Sequence, residues 1–291
     1  MSSVKAVTGV QPRGIALALD VGGTKAAVGR IASDGRVLTR AEVPTGGETD
    51  PFPAIADLLR TVAEGDEVVC GIGSAGPLTG GGTLVSPVNG PRWVDFPLAA
   101  LAGEVTGLPT FVDLDTKALA LGEGRFGAAR GIDDYLAMVV STGVGGGIVS
   151  RGVLLDGASG NAGHIGHVVV EPDGRACGCG GRGCLEAQAS GTALLASTGR
   201  SPAEAPLELR EQVGRWVGLA VASVANLLDL RLAVVAGSVA LGYGEPFFRA
   251  AQATIDERAR LSFAQGTRIV ATTLPDAPLL GAACVGWRGI G

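Results

Sequence analysis

The chain has 291 residues, enough for two domains with their own cores, and 46% of them are hydrophobic, which argues against a disordered polypeptide. Charged residues make up 18% and the formal net charge is −5, so there is no basic excess to displace counterions and no nucleic-acid partner is expected. No apolar run reaches the roughly 20 residues of a membrane span, so no membrane association is expected. No secretory leader is visible in the opening 13 residues, so a reducing, cytoplasmic setting is expected.

Read in chain order, Ile15-Ala-Leu-Ala-Leu-Asp-Val is an apolar strand closed by the turn Gly22-Gly23-Thr24. A second strand follows over 25–31, and the Asp34-Gly35 turn leads to a third around Val37. Tight glycine and Asp-Gly turns of this kind join antiparallel meanders. A helix is expected over 53–63, an apolar strand over 68–73 ending in Ser74-Ala-Gly-Pro-Leu, and a helix over 97–105. A strand over 110–115 then runs into a helix over 116–126, placing Asp115 at the strand's carboxyl end. The pattern restarts with a strand over 134–141, a glycine turn over 142–147 and a strand over 148–155. Strand, glycine turn, strand repeated about 120 residues apart implies a duplicated domain. Helices over 192–195, 203–230 and 246–260, strands over 233–236 and 268–271, and a last helix over 278–288 complete an α/β chain.

Both histidines and three of the five cysteines fall between Asn161 and Glu186. One imidazole, His167, and three thiolates, Cys177, Cys179 and Cys184, form a candidate tetrahedral structural zinc site. Gly178 lets Cys177 and Cys179 face one ion, and positive-φ conformations at Gly180, Gly181 and Gly183 would bring Cys184 to it. The competing reading is a buried or disulfide-forming cysteine cluster, which a reducing compartment disfavours.

Asp20-Val-Gly-Gly-Thr-Lys25 and Ser141-Thr-Gly-Val-Gly-Gly-Gly147 each present backbone N–H groups unshielded by Cβ, with hydroxyls beside them, as phosphate-binding loops do. Structural β-turns would explain either alone. Neither matches the Walker A or the dinucleotide pattern. As a pair they can clamp the phosphates of one nucleotide, with Asp20 holding Mg²⁺ through water.

These segments resemble the ROK family of sugar kinases, within the actin-like ATPase superfold. Residues 18–25 are similar to its first phosphate motif and 141–147 to its second. Cys177-Gly-Cys-Gly-Gly-Arg-Gly-Cys-Leu-Glu186 resembles its C-x-C-G-x-x-G-C-x-E signature, Ala236-Gly-Ser-Val239 its adenosine segment, and Leu279-Leu-Gly-Ala-Ala283 its C-terminal helix. The resemblance implies a two-domain, ribonuclease H-like duplicated fold with an interdomain cleft. Residues 1–116 and the helix 276–291 would form the small domain, and 117–275 the large one carrying the zinc motif.

The activity implied is transfer of a phosphoryl group from MgATP to a sugar hydroxyl, usually O6 of a hexose. Asp115 is the implied catalytic base, with Asp113 as rival, and a plain helix-capping role is the alternative for Asp115. Gly22, Gly23, Thr24, Lys25, Thr142, Gly143, Gly145, Gly237 and Ser238 would meet ATP beside Asp20. Gly76, Asn89, His164, His167 and Glu186 would meet the sugar along with Asp115, although Gly76 and Asn89 also suit ordinary turns.

Two positions depart from the family pattern. Leu114 stands where the Asn of an Asn-Asp pair is usual, which removes one sugar-hydroxyl partner. His164 replaces the Glu of A-G-E-I-G-H, and the resulting A-G-H-I-G-H resembles bacterial N-acetylmannosamine kinases. N-acetylmannosamine is therefore the favoured substrate, with glucose or another hexose as the alternative and polyphosphate as an alternative donor. A sugar-sensing regulator of the same family would need a helix-turn-helix ahead of Ile15, for which about 14 residues are too few. A chaperone or filament protein of the same superfold is disfavoured by the metal segment. The family resemblance implies a homodimer.

Overall fold

A computed structural model describes residues 13–47, 49–88, 90 and 92–291. They form two compact units, one built from residues up to 131 with 152–162 and 274–291, the other from 132–151 with 163–273.

The first unit opens with strands β1 (Ile15–Val21), β2 (Lys25–Ile31) and β3 (Val37–Pro44), followed by helix α1 (Phe52–Val62). Strand β4 (Glu67–Ser74), the small hairpin β5 (Leu78–Thr79) and β6 (Leu84–Val85), and helix α2 (Leu98–Thr106) come next. Strand β7 (Thr110–Leu114) runs directly into helix α3 (Asp115–Phe126). The sheet order is β3-β2-β1-β4-β7. The first three strands are antiparallel, as the meander predicted, while β4 and β7 join in parallel. Parallel strands need crossover helices, which α1 and α2 supply. The apolar faces of α1 and α2 meet the sheet in a core that includes Leu17, Leu19, Ile55, Leu59, Ile72 and Leu98.

In the second unit β8 (Tyr135–Val140) pairs antiparallel with β9 (Val144–Ser150). The short strand β10 (Val153–Leu154) lies within the 152–162 segment of the first unit. Helices α4 (Leu185–Ala189), α5 (Gly191–Thr198) and α6 (Leu207–Leu228) precede β11 (Leu232–Ala236). Helices α7 (Ser238–Tyr243) and α8 (Glu245–Arg258) precede β12 (Arg268–Ala271), and α9 (Ala277–Ile290) closes the chain in the first unit. Strands β8, β11 and β12 are parallel. Both units therefore run an antiparallel hairpin into two parallel strands, β2-β1-β4-β7 and β9-β8-β11-β12.

Sequence expectations change at several places. Gly145, Gly146 and Gly147 are residues of β9, not of a turn, because they pair with Val139, Met138 and Ala137; the turn is only 141–143. The short helices α4 and α7 were not legible, being too brief for a 3.6-residue period to register. The first unit extends past the expected boundary at 116, since α3 lies in it with the 152–162 segment. Among the described residues no helix is long and apolar enough to cross a membrane.

Candidate functional site

In the first unit the strand register sets the geometry. Asp20 at the end of β1 lies opposite Gly73 of β4, which lies opposite Asp113 of β7. A side chain at Gly73 would come within 3.6 Å of Asp20 Oδ1 and 3.5 Å of Asp115 Cα, so the bare glycine keeps the space between the two acids open. Burial and the nearby Asp115 charge push Asp20 up to about 7, against the pull of Lys25. Asp115 is raised to about 6 by burial, opposed by the hydrogen bond its Oδ1 accepts from the Thr116 N–H at 2.7 Å.

The structure separates the two rival acids. Asp113 is buried and paired with Lys117 at 2.9 Å and Arg288 at 3.5 Å, so its carboxylate is held by cations. Asp115 forms no ion pair among the described residues and is the first residue of α3, off the strand. Its Oδ1 therefore accepts a backbone N–H in the first turn of α3. Leu114 is 2% exposed and belongs to the apolar core. A Cβ on Gly76 would fall 2.3 Å from Leu114 Cδ2, so these two positions are packed together. Asn89 lies outside the described residues.

In the Gly22-Gly23-Thr24 turn, the Gly22 N–H donates to the Lys25 carbonyl at 3.0 Å, so it is not available to a phosphate. Gly23, Thr24 and Lys25 are exposed, and Lys25 pairs with Glu42 at 2.9 Å.

In the second unit, the 141–143 turn meets the start of α7. Ser141 and Ser238 hydroxyls lie 3.0 Å apart. Gly237 adopts φ +102°, and a Cβ there would sit 2.4 Å from the Val140 carbonyl oxygen, so only glycine lets this turn reach β8. Thr142 is exposed, and Gly143 and Gly145 are partly so. This arrangement groups Thr142, Gly143, Gly145, Gly237 and Ser238 within one unit.

The histidine segment crosses β9 by the same device. Cβ atoms at Gly163 and Gly166 would each lie 2.2 Å from a β9 carbonyl oxygen, of Gly146 and Val144 respectively. His164 and His167 are exposed, with ring centroids 6.1 Å apart. Glu186 on α4 accepts the Val144 N–H at 3.0 Å through Oε2, which fixes the carboxylate and leaves Oε1 as a further acceptor. The ligand atoms of His167, Cys177, Cys179 and Cys184 all lie within 4.8 Å of one another.

Cys179 and Cys184 sulfurs are 3.8 Å apart, and Cys177 Sγ is 3.8 Å from His167 Nδ1. A tetrahedron with metal–sulfur bonds near 2.3 Å has sulfur–sulfur edges of about 3.8 Å, whereas a disulfide would need about 2 Å. The donors therefore fit a tetrahedral thiolate-selective ion, and all five cysteines are free thiols. Gly180 and Gly183 take positive φ as expected. Gly181 does not; a Cβ there would make ordinary contact with Cys179 Sγ at 3.4 Å.

A ROK family model matches residues 16–286. The chain belongs to the ROK family of sugar kinases. A glucokinase of Thermotoga maritima is 34% identical over 306 residues, covering 92% of this chain and 96% of that protein. An N-acetylmannosamine kinase of Citrobacter koseri is 36% identical over 247 residues, 78% of this chain and 84% of that one. Among solved structures, a ROK family glucokinase from Streptomyces griseus in complex with glucose and AMPPNP superposes with a TM-score of 0.79 at 30% identity, covering 94% of this chain and 99% of that one.

Against the ROK motifs, three residues around Asp115 escaped the sequence reading: Lys117, Asp156 and Arg288. Lys117 carried a signal, a lysine heading the run Ala118-Leu-Ala-Leu four residues after an aspartate. Asp156 and Arg288 carried none, because each reaches Lys117 or Asp113 only through the fold.

Proposed function

We propose that the protein is an ATP-dependent kinase that transfers the γ-phosphoryl group to the 6-hydroxyl of a hexose or N-acylhexosamine, with N-acetylmannosamine first. The observation that carries this is the state of Asp115: partly buried, raised to about 6, and without a cationic partner among the described residues, beside a second acid that is held by two cations. A carboxylate poised near neutrality suits a general base.

Asp115 would take the hydroxyl proton as that oxygen bonds to the γ-phosphorus and the bond to the β–γ bridging oxygen breaks, releasing ADP. Asp20 would hold Mg²⁺ through water. Gly23, Thr24, Lys25, Thr142, Gly143, Gly145, Gly237 and Ser238 are assigned to the nucleotide, with Gly22 supporting its turn. His164, His167, Glu186, Gly76 and Asn89 are assigned to the sugar. Cys177, Cys179, Cys184 and His167 Nδ1 would hold a structural zinc ion, whose chemistry is to neutralise and gather these ligands. The His167 ring is then left with Nε2 toward a hydroxyl. The strand order common to both units supports a duplicated, ribonuclease H-like architecture.

His164, in the A-G-H-I-G-H form, favours the N-acylhexosamine. The Thermotoga glucokinase match over 92% of the chain favours glucose as the second reading. A sugar panel in a coupled ADP-release assay decides between them, run with ATP and with polyphosphate beside Asp115→Asn. Equal background rates on every sugar with either donor would overturn the kinase reading.

A further inference from the structure

Four charged side chains of the first unit meet around the β7–α3 junction: Asp113, Lys117, Asp156 and Arg288. Lys117 is only 1% exposed, yet its ammonium reaches three acceptors, Asp113 Oδ1 at 2.9 Å, Asp156 Oδ1 at 2.8 Å and the Gly160 carbonyl at 3.2 Å. Three acceptors match the three protons of the group. Arg288 joins the same carboxylates, at 2.8 Å to Asp156 Oδ2 and 3.5 Å to Asp113 Oδ2.

The place of Lys117 is costly for a helix. It is the third residue of α3, where the positive end of the helix dipole disfavours a cation, and the cap residue Leu114 supplies no side-chain hydrogen bond. Helix stability therefore does not explain a buried lysine there. The pairing does explain one geometric need. Asp113 and Lys117 are joined to each other across Asp115, two residues before it and two after. Asp113 Oδ1 also accepts the Leu114 N–H at 2.8 Å. On the strand side, the register of Gly73 with Asp113 and of Ser74 with Leu114 already fixes the chain. On the helix side, the Lys117 ammonium is the matching anchor.

We infer that Lys117, with Asp156 as its second carboxylate, is a positioning residue that fixes the strand-to-helix junction and so aims the Asp115 carboxylate. This rests on the kinase reading with Asp115 as base. Lys117 itself is too enclosed and too fully paired to meet a substrate, so it acts through the backbone. Misplacing a reacting group by about 1 Å costs about a hundredfold in rate, and a role confined to orientation lowers kcat while leaving substrate binding in place.

The test is steady-state kinetics of Lys117→Met, Asp156→Asn and Asp156→Glu at a temperature where circular dichroism shows each folded. Expected are a kcat lower by about 10–100-fold for Lys117→Met and about 3–10-fold for Asp156→Asn, each with KM for sugar and ATP within about threefold of wild type. Asp156→Glu is expected to recover most of the rate. Should Lys117→Met fail to fold, the half-exposed Asp156 pair of variants decides. A lowered melting temperature with kcat within twofold of wild type in the folded variants would assign the cluster to stability alone and overturn the inference. An inactive wild type would remove the kinase reading and this inference with it, whereas an active wild type with unaffected variants removes only the inference.

Discussion

Asp115→Asn should stabilise the protein while abolishing its activity. Folding raises this carboxyl from 3.8 to about 6, chiefly by burial. Between those values the folded state binds more protons than the unfolded one, so acid relieves a penalty that is full above pH 6 and absent below about pH 4. The penalty is about 3 kcal/mol from the shift alone, and about 1–2 kcal/mol after allowing for solvent reaching a partly exposed group. Asparagine keeps an oxygen for the Thr116 N–H and removes the charge that raises Asp20, so both effects act in the same direction. Denaturant melts of both proteins at pH 7.5 and pH 4 give the answer. The variant should exceed wild type by about 1–2 kcal/mol at pH 7.5, worth a few degrees of melting temperature, with the gap closing toward pH 4. A variant no more stable than wild type at pH 7.5, or a gap independent of pH, would refute the claim that desolvation dominates this site.

Three further outcomes follow from the same geometry. The kcat/KM for sugar should fall about tenfold per pH unit below about pH 6, because the proposed base, Asp115, would act in its ionised form; a flat profile down to pH 5 contradicts that role. Gly237→Ala forces a Cβ to 2.4 Å from the Val140 oxygen at φ +102°, so the α7 turn must shift. It should cost about 1–3 kcal/mol of stability and raise KM for ATP at least tenfold with the sugar KM unchanged, which parallel titrations of the two substrates would show. Elemental analysis should find one zinc per chain, and chelation or Cys184→Ser should lower the melting temperature and remove its shift by sugar. An unchanged melt and unchanged sugar affinity in metal-free protein would contradict the scaffold role of the thiolate cluster.

The parts of this molecule that depend on neighbours in sequence were legible in it. The helices α1, α2, α3, α8 and α9 and the strands β1 and β2 begin and end within a residue or two of where apolar periodicity and turn residues placed them, and β3 begins at the expected Val37. The metal donors were legible too, since Cys177, Cys179 and Cys184 span eight residues and need only local turns to converge. The glycine turn expected over 142–147 is shorter in the structure for a long-range reason. Three successive glycines look like a loop until β8 supplies hydrogen-bond partners for them.

Composition and short-range pattern thus determined the α/β class, the cysteine–histidine cluster and Asp115 as a candidate. Only the tertiary structure distinguishes the surroundings of Asp113 and Asp115, because a cation that helps hold Asp113 comes from Arg288, 175 residues away. It also shows why Gly163, Gly166 and Gly237 lack side chains: the first two lie against carbonyls of β9 and the third against the Val140 carbonyl of β8. A contact between distant segments leaves no period and no motif in the chain. Its physical cause, the meeting of an uncovered charge or a bare backbone with its partner, exists only once the fold has brought the two together.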